Sequence, residues 1–244
     1  MIYVMSDVHG LYDRYRDILG KINLRGDDKL YILGDFVDRG PQGLALLMDA
    51  IKKPNIICLR GNHDDTACAI LSKVVERSPD IRTSKFAEVM SLWLADGGQA
   101  TWDEFKRMSD RARCEAVSHL RALPLYRIAE ADGQSFFLSH TVPDRARFHK
   151  CIGATGIRNA CERIICGDDF SFAGEDLLWG VPEYDKKYAN ELTIVIGHTP
   201  TTLITHANEP KVWSGNNHLA IDCGAAFGGK LACVCLNDGK TWYA

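Results

Sequence analysis

The chain has 244 residues, enough for one large domain or two small ones, and its 46% hydrophobic and 25% charged residues match an ordinary globular protein. A formal net charge of -3 provides no broad field for holding nucleic acid or an acidic membrane, so neither is expected as a partner. The nine cysteines are odd in number and form no C-x-x-C pair, which argues for reduced, packed thiols rather than a disulfide framework or a zinc ribbon.

Residues 2–5 form a short apolar run with no basic region before it, so they read as a first strand and not as a signal peptide. No apolar run approaches the roughly 18 residues that a membrane span needs, and a cytoplasmic location is expected. Tyr12, Tyr15, Ile18, Leu19 and Ile22 follow at helical spacing. A strand at 30–33, a helix at 44–51 and a strand at 56–59 come next. Strand-helix-strand repeats of this kind predict a parallel sheet with right-handed crossovers.

Residues 64–122 read as a helical insertion, with Trp93, Trp102 and Phe105 as packing residues. Strands are predicted at 125–128 and 135–138, a mixed, charged insertion at 141–191, and a buried strand at 192–196. The tail reads as strands at 203–206, 219–222, 231–236 and 241–243, with a hairpin turn at 237–240. With no repeat or linker, residues 1–244 are expected to form one α/β domain, a mixed β-sandwich with flanking helices.

Each early strand ends in a polar cluster: Asp7-Val8-His9, then Gly34-Asp35-Phe36-Val37-Asp38-Arg39-Gly40, then Gly61-Asn62-His63-Asp64. Ligands of such sheets sit off the carboxyl ends of the strands, so the clusters should converge there. His140 and His198 end two later strands. Oxygen and imidazole donors together suit manganese, iron or zinc. Asp7 and His9 alternate along an extended backbone and can reach one ion. Asp35 is placed to bridge two ions, with Asn62, His140 and His198 completing the second. A lone Asp or His at a strand end is usually a turn residue; three ordered clusters make that reading improbable.

Magnitudes favour metals over simple acid–base chemistry. The slowest uncatalysed hydrolyses need acceleration of up to about 10²¹, near 28 kcal/mol. One positioned proton donor supplies about 10²–10⁴. Two divalent ions supply charge stabilisation, orientation and a nucleophile that ionises near neutral pH.

Together these motifs resemble the signature of the phosphoprotein phosphatase family of calcineurin-like metallophosphoesterases, and most of all the phage lambda and bacterial serine/threonine phosphatase type. The likeness extends over nearly the whole chain and includes Asp222-Cys223-Gly224-Ala225 near its end. The resemblance implies two metal ions, manganese first with iron or zinc as alternatives. Asp7, His9 and Asp35 would hold one; Asp35, Asn62, His140 and His198 would hold the other. His63 would protonate the leaving group, oriented by Asp38, and Arg39, Arg60 and Asn62 would hold the phosphoryl group. A hydroxide bridging the ions would attack in line.

Phosphoserine or phosphothreonine proteins are the first substrate expectation. Dinucleoside polyphosphates such as diadenosine tetraphosphate, or other nucleotides, are the alternative within the fold. A non-catalytic phosphate-binding scaffold is the rival from another class, opposed by the complete ligand set. Two departures bear on substrate. Leu178-Trp179-Gly180 lacks the second phosphate-clamping arginine of the phage type, and Thr141 follows His140 where a small residue is usual. Arg145, Arg147, Arg158 and Arg163 are candidate replacements, and the basic run 145–150 reads as a solvated loop. Cys233 and Cys235 read as core residues, and Cys223 adjoins the expected site. His119, His149, His206 and His218 read as surface or packing residues.

Overall fold

The structure, a computed structural model, describes residues 1–152, 174–190 and 192–244. Two five-stranded mixed sheets face each other. The first runs β10-β9-β1-β2-β3, from Thr241–Tyr243, Ala232–Cys235, Ile2–Met5, Lys29–Ile32 and Ile56–Cys58. The second runs β4-β5-β6-β8-β7, from Tyr126–Ala131, Gln134–Ser139, Leu192–Ile196, His218–Ala220 and Trp213–Gly215. β1, β2 and β3 are mutually parallel, as are β5, β6 and β8.

Alternation along each strand separates two apolar faces. Val4, Tyr31, Leu33 and Val234 meet Ala129, Phe136, Leu138 and Val195 between the sheets. Tyr3, Met5, Leu30, Ile32, Cys233 and Cys235 turn outward to the helices, so the two cysteines are core residues as expected. Those helices include α1 (Tyr12–Ile22), α2 (Gly43–Ile51), α3 (Asn62–Val75), α4 (Ser84–Trp93), α5 (Gln99–Arg107) and α6 (Asp110–Ala122). Helices α7 (Arg145–Ile152) and α8 (Gly174–Leu178) lie by the second sheet, where Phe148 and Leu177 pack on Phe137. The basic run 145–150 is therefore helical and not a loop. No helix among the described residues is long and apolar enough to cross a membrane.

The tail corrects one expectation. Residues 203–206 are not a strand; Thr201–Thr205 form a short helix, α9. Their β-branched run favours a strand, but Pro200 fixes the entry backbone at φ -52 and Thr201 N–H is taken by the Asp222 carbonyl at 2.8 Å. His206, at φ +54, closes the turn. Strand β7 has no clear sequence signal. It is defined by the Asn216-Asn217 turn, both residues at positive φ as a tight hairpin requires.

Candidate metal centre

The carboxyl ends of the two parallel strand trios deliver the sequence candidates to one place. Asp7, His9, Asp35, Asp38, Arg39 and His198 all have φ between +46° and +67°. Non-glycine residues in this region cost about 1–3 kcal/mol each, and such strain persists where the surroundings over-determine it. Here the loops brace one another: His9 N–H donates to the Asp35 carbonyl and Gly10 N–H to that of Phe36, both at 2.8 Å.

Asp64, quoted in the motif but given no role from sequence, organises this bracing. Wholly buried in the first turn of α3, its carboxylate accepts from the backbone N–H groups of Asp35 (2.8 Å), Gly61 (2.9 Å), Phe36 (2.9 Å) and Val37 (3.4 Å). Burial pushes its pKa up to about 6 against the pull of those donors. Gly61 must lack a side chain, because a Cβ there would fall 2.1 Å from Asp35 Oδ1.

The imidazoles have defined tautomers. His9 Nδ1–H donates to the Val37 carbonyl at 2.9 Å and His140 Nδ1–H to that of Leu33 at 3.1 Å, which leaves Nε2 of each as the lone-pair nitrogen. Burial, reinforced by Arg39, lowers His9 to about 3; burial and His140 lower His198 to about 4; burial also lowers His140. All three are therefore neutral at physiological pH, the state that binds a metal. His140 Nε2 lies 2.8 Å from Asn62 Oδ1 and 3.1 Å from His198 Nδ1.

Asp35 stands between the halves, with Oδ2 3.4 Å from His9 Nε2 and Oδ1 3.6 Å from His140 Nε2. Asp7 accepts from His198 N–H at 3.0 Å, and its pKa is lowered despite burial, with that bond contributing. Burial and the charges of Asp7 and Asp64 raise Asp35, while burial and Asp7 raise Asp222. Ligand atoms of His9, Asp35 and His63 lie within 4.8 Å of one another, and so do those of Asp7, Asp35 and His140. Buried carboxylates crowded against neutral imidazole lone pairs make a donor set that fits two divalent cations sharing Asp35.

His63 is set apart by Asp38. Its Nδ1–H donates to Asp38 Oδ2 at 2.8 Å, so Nε2 faces the cluster. Burial alone would depress His63, but this bond and the charge of Asp35 outweigh it, and the pKa is raised. Asp38 is wholly buried and also accepts from Trp93 Nε1–H at 3.0 Å and Thr101 Oγ1–H at 2.7 Å. Both come from the stretch read only as an insertion. Trp93 packs as expected, yet its indole N–H is a working donor. The kink at Leu94–Gly98 between α4 and α5 places the Gly97 carbonyl on Arg39 N–H at 2.9 Å. Gly97 has φ +102, and a Cβ there would lie 2.7 Å from Arg39 Cγ.

Arg39 donates to His9 Nε2 at 2.6 Å and to His63 Nε2 at 2.9 Å. Arg60 is not brought to the cluster: its guanidinium bonds Asp65 (3.0 Å) and the Arg121 carbonyl (2.6 Å). Of the candidate substitutes for the missing clamp, Arg145 bonds the Lys187 carbonyl and Arg147 bonds Asp176. Arg158 and Arg163 lie outside the described residues. Cys223 is buried, which pushes its thiol up to about 12 and makes it a poor nucleophile at neutral pH.

The calcineurin-like phosphoesterase family model matches residues 1–232. A symmetrical bis(5'-nucleosyl)-tetraphosphatase of Neisseria gonorrhoeae (strain NCCP11945) is 31% identical over 135 residues, covering 53% of this chain and 46% of that protein. The chain thus spans about half the length of that relative. The asymmetrical bis(5'-nucleosyl)-tetraphosphatase PrpE of Anoxybacillus flavithermus (strain DSM 21510 / WK1) is 25% identical over 259 residues, covering 99% of this chain and 93% of its own length. A serine/threonine phosphatase of Saccharomyces cerevisiae with similarity to human PP5 shares the fold, with a TM-score of 0.59 at 15% identity, covering 100% of this chain and 79% of that one.

Proposed function

The chain belongs to the calcineurin-like phosphoesterase family and is a hydrolase, and from that premise we propose that it cleaves phosphoanhydride bonds of dinucleoside polyphosphates at a dinuclear manganese site. The observation that carries the substrate is the agreement of the relatives' names, above all that of the relative aligned along 99% of this chain. The phosphoserine or phosphothreonine expectation gives way to this alternative. The site itself suits either substrate, because both present a tetrahedral phosphoryl group to the same donors.

In this reading Asp7, His9 and Asp35 would hold one ion, and Asp35, Asn62, His140 and His198 would hold the other. When bound, the two ions supply positive charge for the phosphoryl oxygens and lower the pKa of a water. Arg39, the cation between the His9 and His63 rings, takes phosphoryl oxygens through its planar fork. His63, kept in one tautomer by Asp38, carries a proton at Nε2 toward the departing oxygen. A phosphate leaving group needs that proton less than an alkoxide does, so an anhydride makes a smaller demand on His63.

The test is parallel hydrolysis of diadenosine tetraphosphate, a phosphoserine peptide and p-nitrophenyl phosphate with manganese present. A kcat/KM for diadenosine tetraphosphate at least tenfold above that for the peptide is expected, and chromatography of the products shows which anhydride is cut. A tenfold preference for the peptide would overturn the substrate assignment.

A further inference from the structure

We propose that Trp179 and Phe227 are stacking platforms for the two bases of the dinucleotide, one at each end of the metal-ligand cluster; this rests on the dinucleoside polyphosphate reading above.

Both rings are large, apolar and more than half exposed, Trp179 at 53% and Phe227 at 67%. Single exposed apolar residues are ordinary on protein surfaces. These two differ in where they stand. Phe227 lies under the Arg39 guanidinium, 4.6 Å from Cζ to the ring centroid, and Arg39 reaches His9 and His63. Trp179 meets His198 edge-on at 6.3 Å between centroids, and His198 is bonded to His140. The rings thus flank opposite halves of the cluster that Asp35 joins.

Each ring sits on a fixed backbone, so little ordering entropy opposes stacking. The Ala225–Phe227 turn is closed by Phe227 N–H and Gly229 N–H on the Gly224 carbonyl, both at 2.9 Å. The turn bearing Trp179 is tied to the strand end behind His140: Thr141 Oγ1–H donates to the Gly180 carbonyl at 3.0 Å, and Thr141 N–H to that of Leu177 at 3.2 Å. The two departures noted in the sequence, Thr141 and the Trp179-Gly180 pair without an arginine, are therefore one structural unit that holds up an indole.

Beside Phe227 a cavity of about 450 Å³ opens between Pro200, Leu203, Asn208 and Pro210, with Cys223 and Gly224 also in its lining. Its volume falls within the roughly 300–1,000 Å³ of small-molecule pockets. The apolar walls of Pro200, Leu203, Pro210 and Phe227 together with the Asn208 amide suit a purine. A phosphorylated side chain needs only the cluster and Arg39; exposed aromatics on both sides suit a ligand with a flat group at each end of a polyphosphate chain.

The test compares kcat/KM for diadenosine tetraphosphate with that for p-nitrophenyl phosphate in W179A, F227A and F227L. Base stacking on an aromatic ring corresponds to about 5- to 150-fold per ring. Each substitution is expected to lower the ratio of the two kcat/KM values by that factor through KM for the dinucleotide. F227Y, which keeps the π face, is expected to retain the wild-type ratio. F227L keeps apolar bulk in the turn, so a loss there reports the π face and not the fold. In metal-free protein, diadenosine tetraphosphate should quench indole fluorescence more than inorganic tetraphosphate does, and W179F should remove that difference. Wild-type ratios in all three variants, with the wild type active on the dinucleotide, would overturn the platforms and leave the substrate reading standing. A wild type that turns over p-nitrophenyl phosphate but not diadenosine tetraphosphate would overturn both.

Discussion

Replacing Asp64 by asparagine preserves side-chain size but substitutes an amide nitrogen for one acceptor oxygen. Oδ2 serves Asp35 and Gly61, and Oδ1 serves Phe36 and Val37, so either orientation of the amide leaves two buried N–H groups facing a donor. An orphaned buried donor costs about 1–3 kcal/mol, and the pair therefore costs about 2–6 kcal/mol. Against a typical total stability of about 5–15 kcal/mol, such a loss is large. The assay is urea unfolding with linear extrapolation, run in chelator for both proteins because bound metal adds its own stabilisation. Asp65→Asn is the internal control. Asp65 is half-exposed and paired with Arg60, and its loss should cost less than about 1 kcal/mol. A loss at Asp64 no greater than that at Asp65 would refute the bracing role.

Three further outcomes are expected. His63→Asn should lower kcat for alkyl phosphates by about 10²–10⁴ with metal content unchanged, and by less for p-nitrophenyl phosphate and diadenosine tetraphosphate, whose leaving groups need less help; equal losses on all three would count against the acid role. Asp35→Asn should reduce bound manganese, read by elemental analysis after desalting, and wild-type content would rule out a bridging carboxylate there. Thr101→Val should cost about 1–3 kcal/mol in urea unfolding, because it orphans the Asp38 N–H that Thr101 Oγ1 now accepts at 2.7 Å, and a change under about 0.5 kcal/mol would show that this bond contributes little.

The clusters at Asp7, Asp35 and Asn62 were legible in the sequence because each is local, a few polar residues at the end of an apolar strand. Parallel topology then made their convergence a matter of geometry. The braces between clusters were not legible. Asp64 acts on backbone groups about 28 residues away, and a backbone donor leaves no mark in sequence. Its one clue was an acidic residue in the first turn of a helix, capping the Gly61 N–H. Trp93 and Thr101 reach Asp38 from 55 and 63 residues away, across a kink that no helical periodicity reveals. The strand misread at 203–206 has the same origin, since β-branched side chains spoke for a strand while Pro200 and a bond to the Asp222 carbonyl set the backbone otherwise. Arg39, and after it Arg60, stood as candidate clamps; only the fold shows that Asp65 and Arg121 hold the second of them.

The most direct test of a dinuclear hydrolytic centre is to strip the protein with chelator, add back manganese, zinc, iron(II), nickel or magnesium, and follow p-nitrophenyl phosphate hydrolysis together with bound-metal stoichiometry. No turnover is expected in the stripped protein, with turnover restored by manganese as occupancy approaches two ions per chain. Full turnover without metal, or saturation at one ion with full activity, would contradict it.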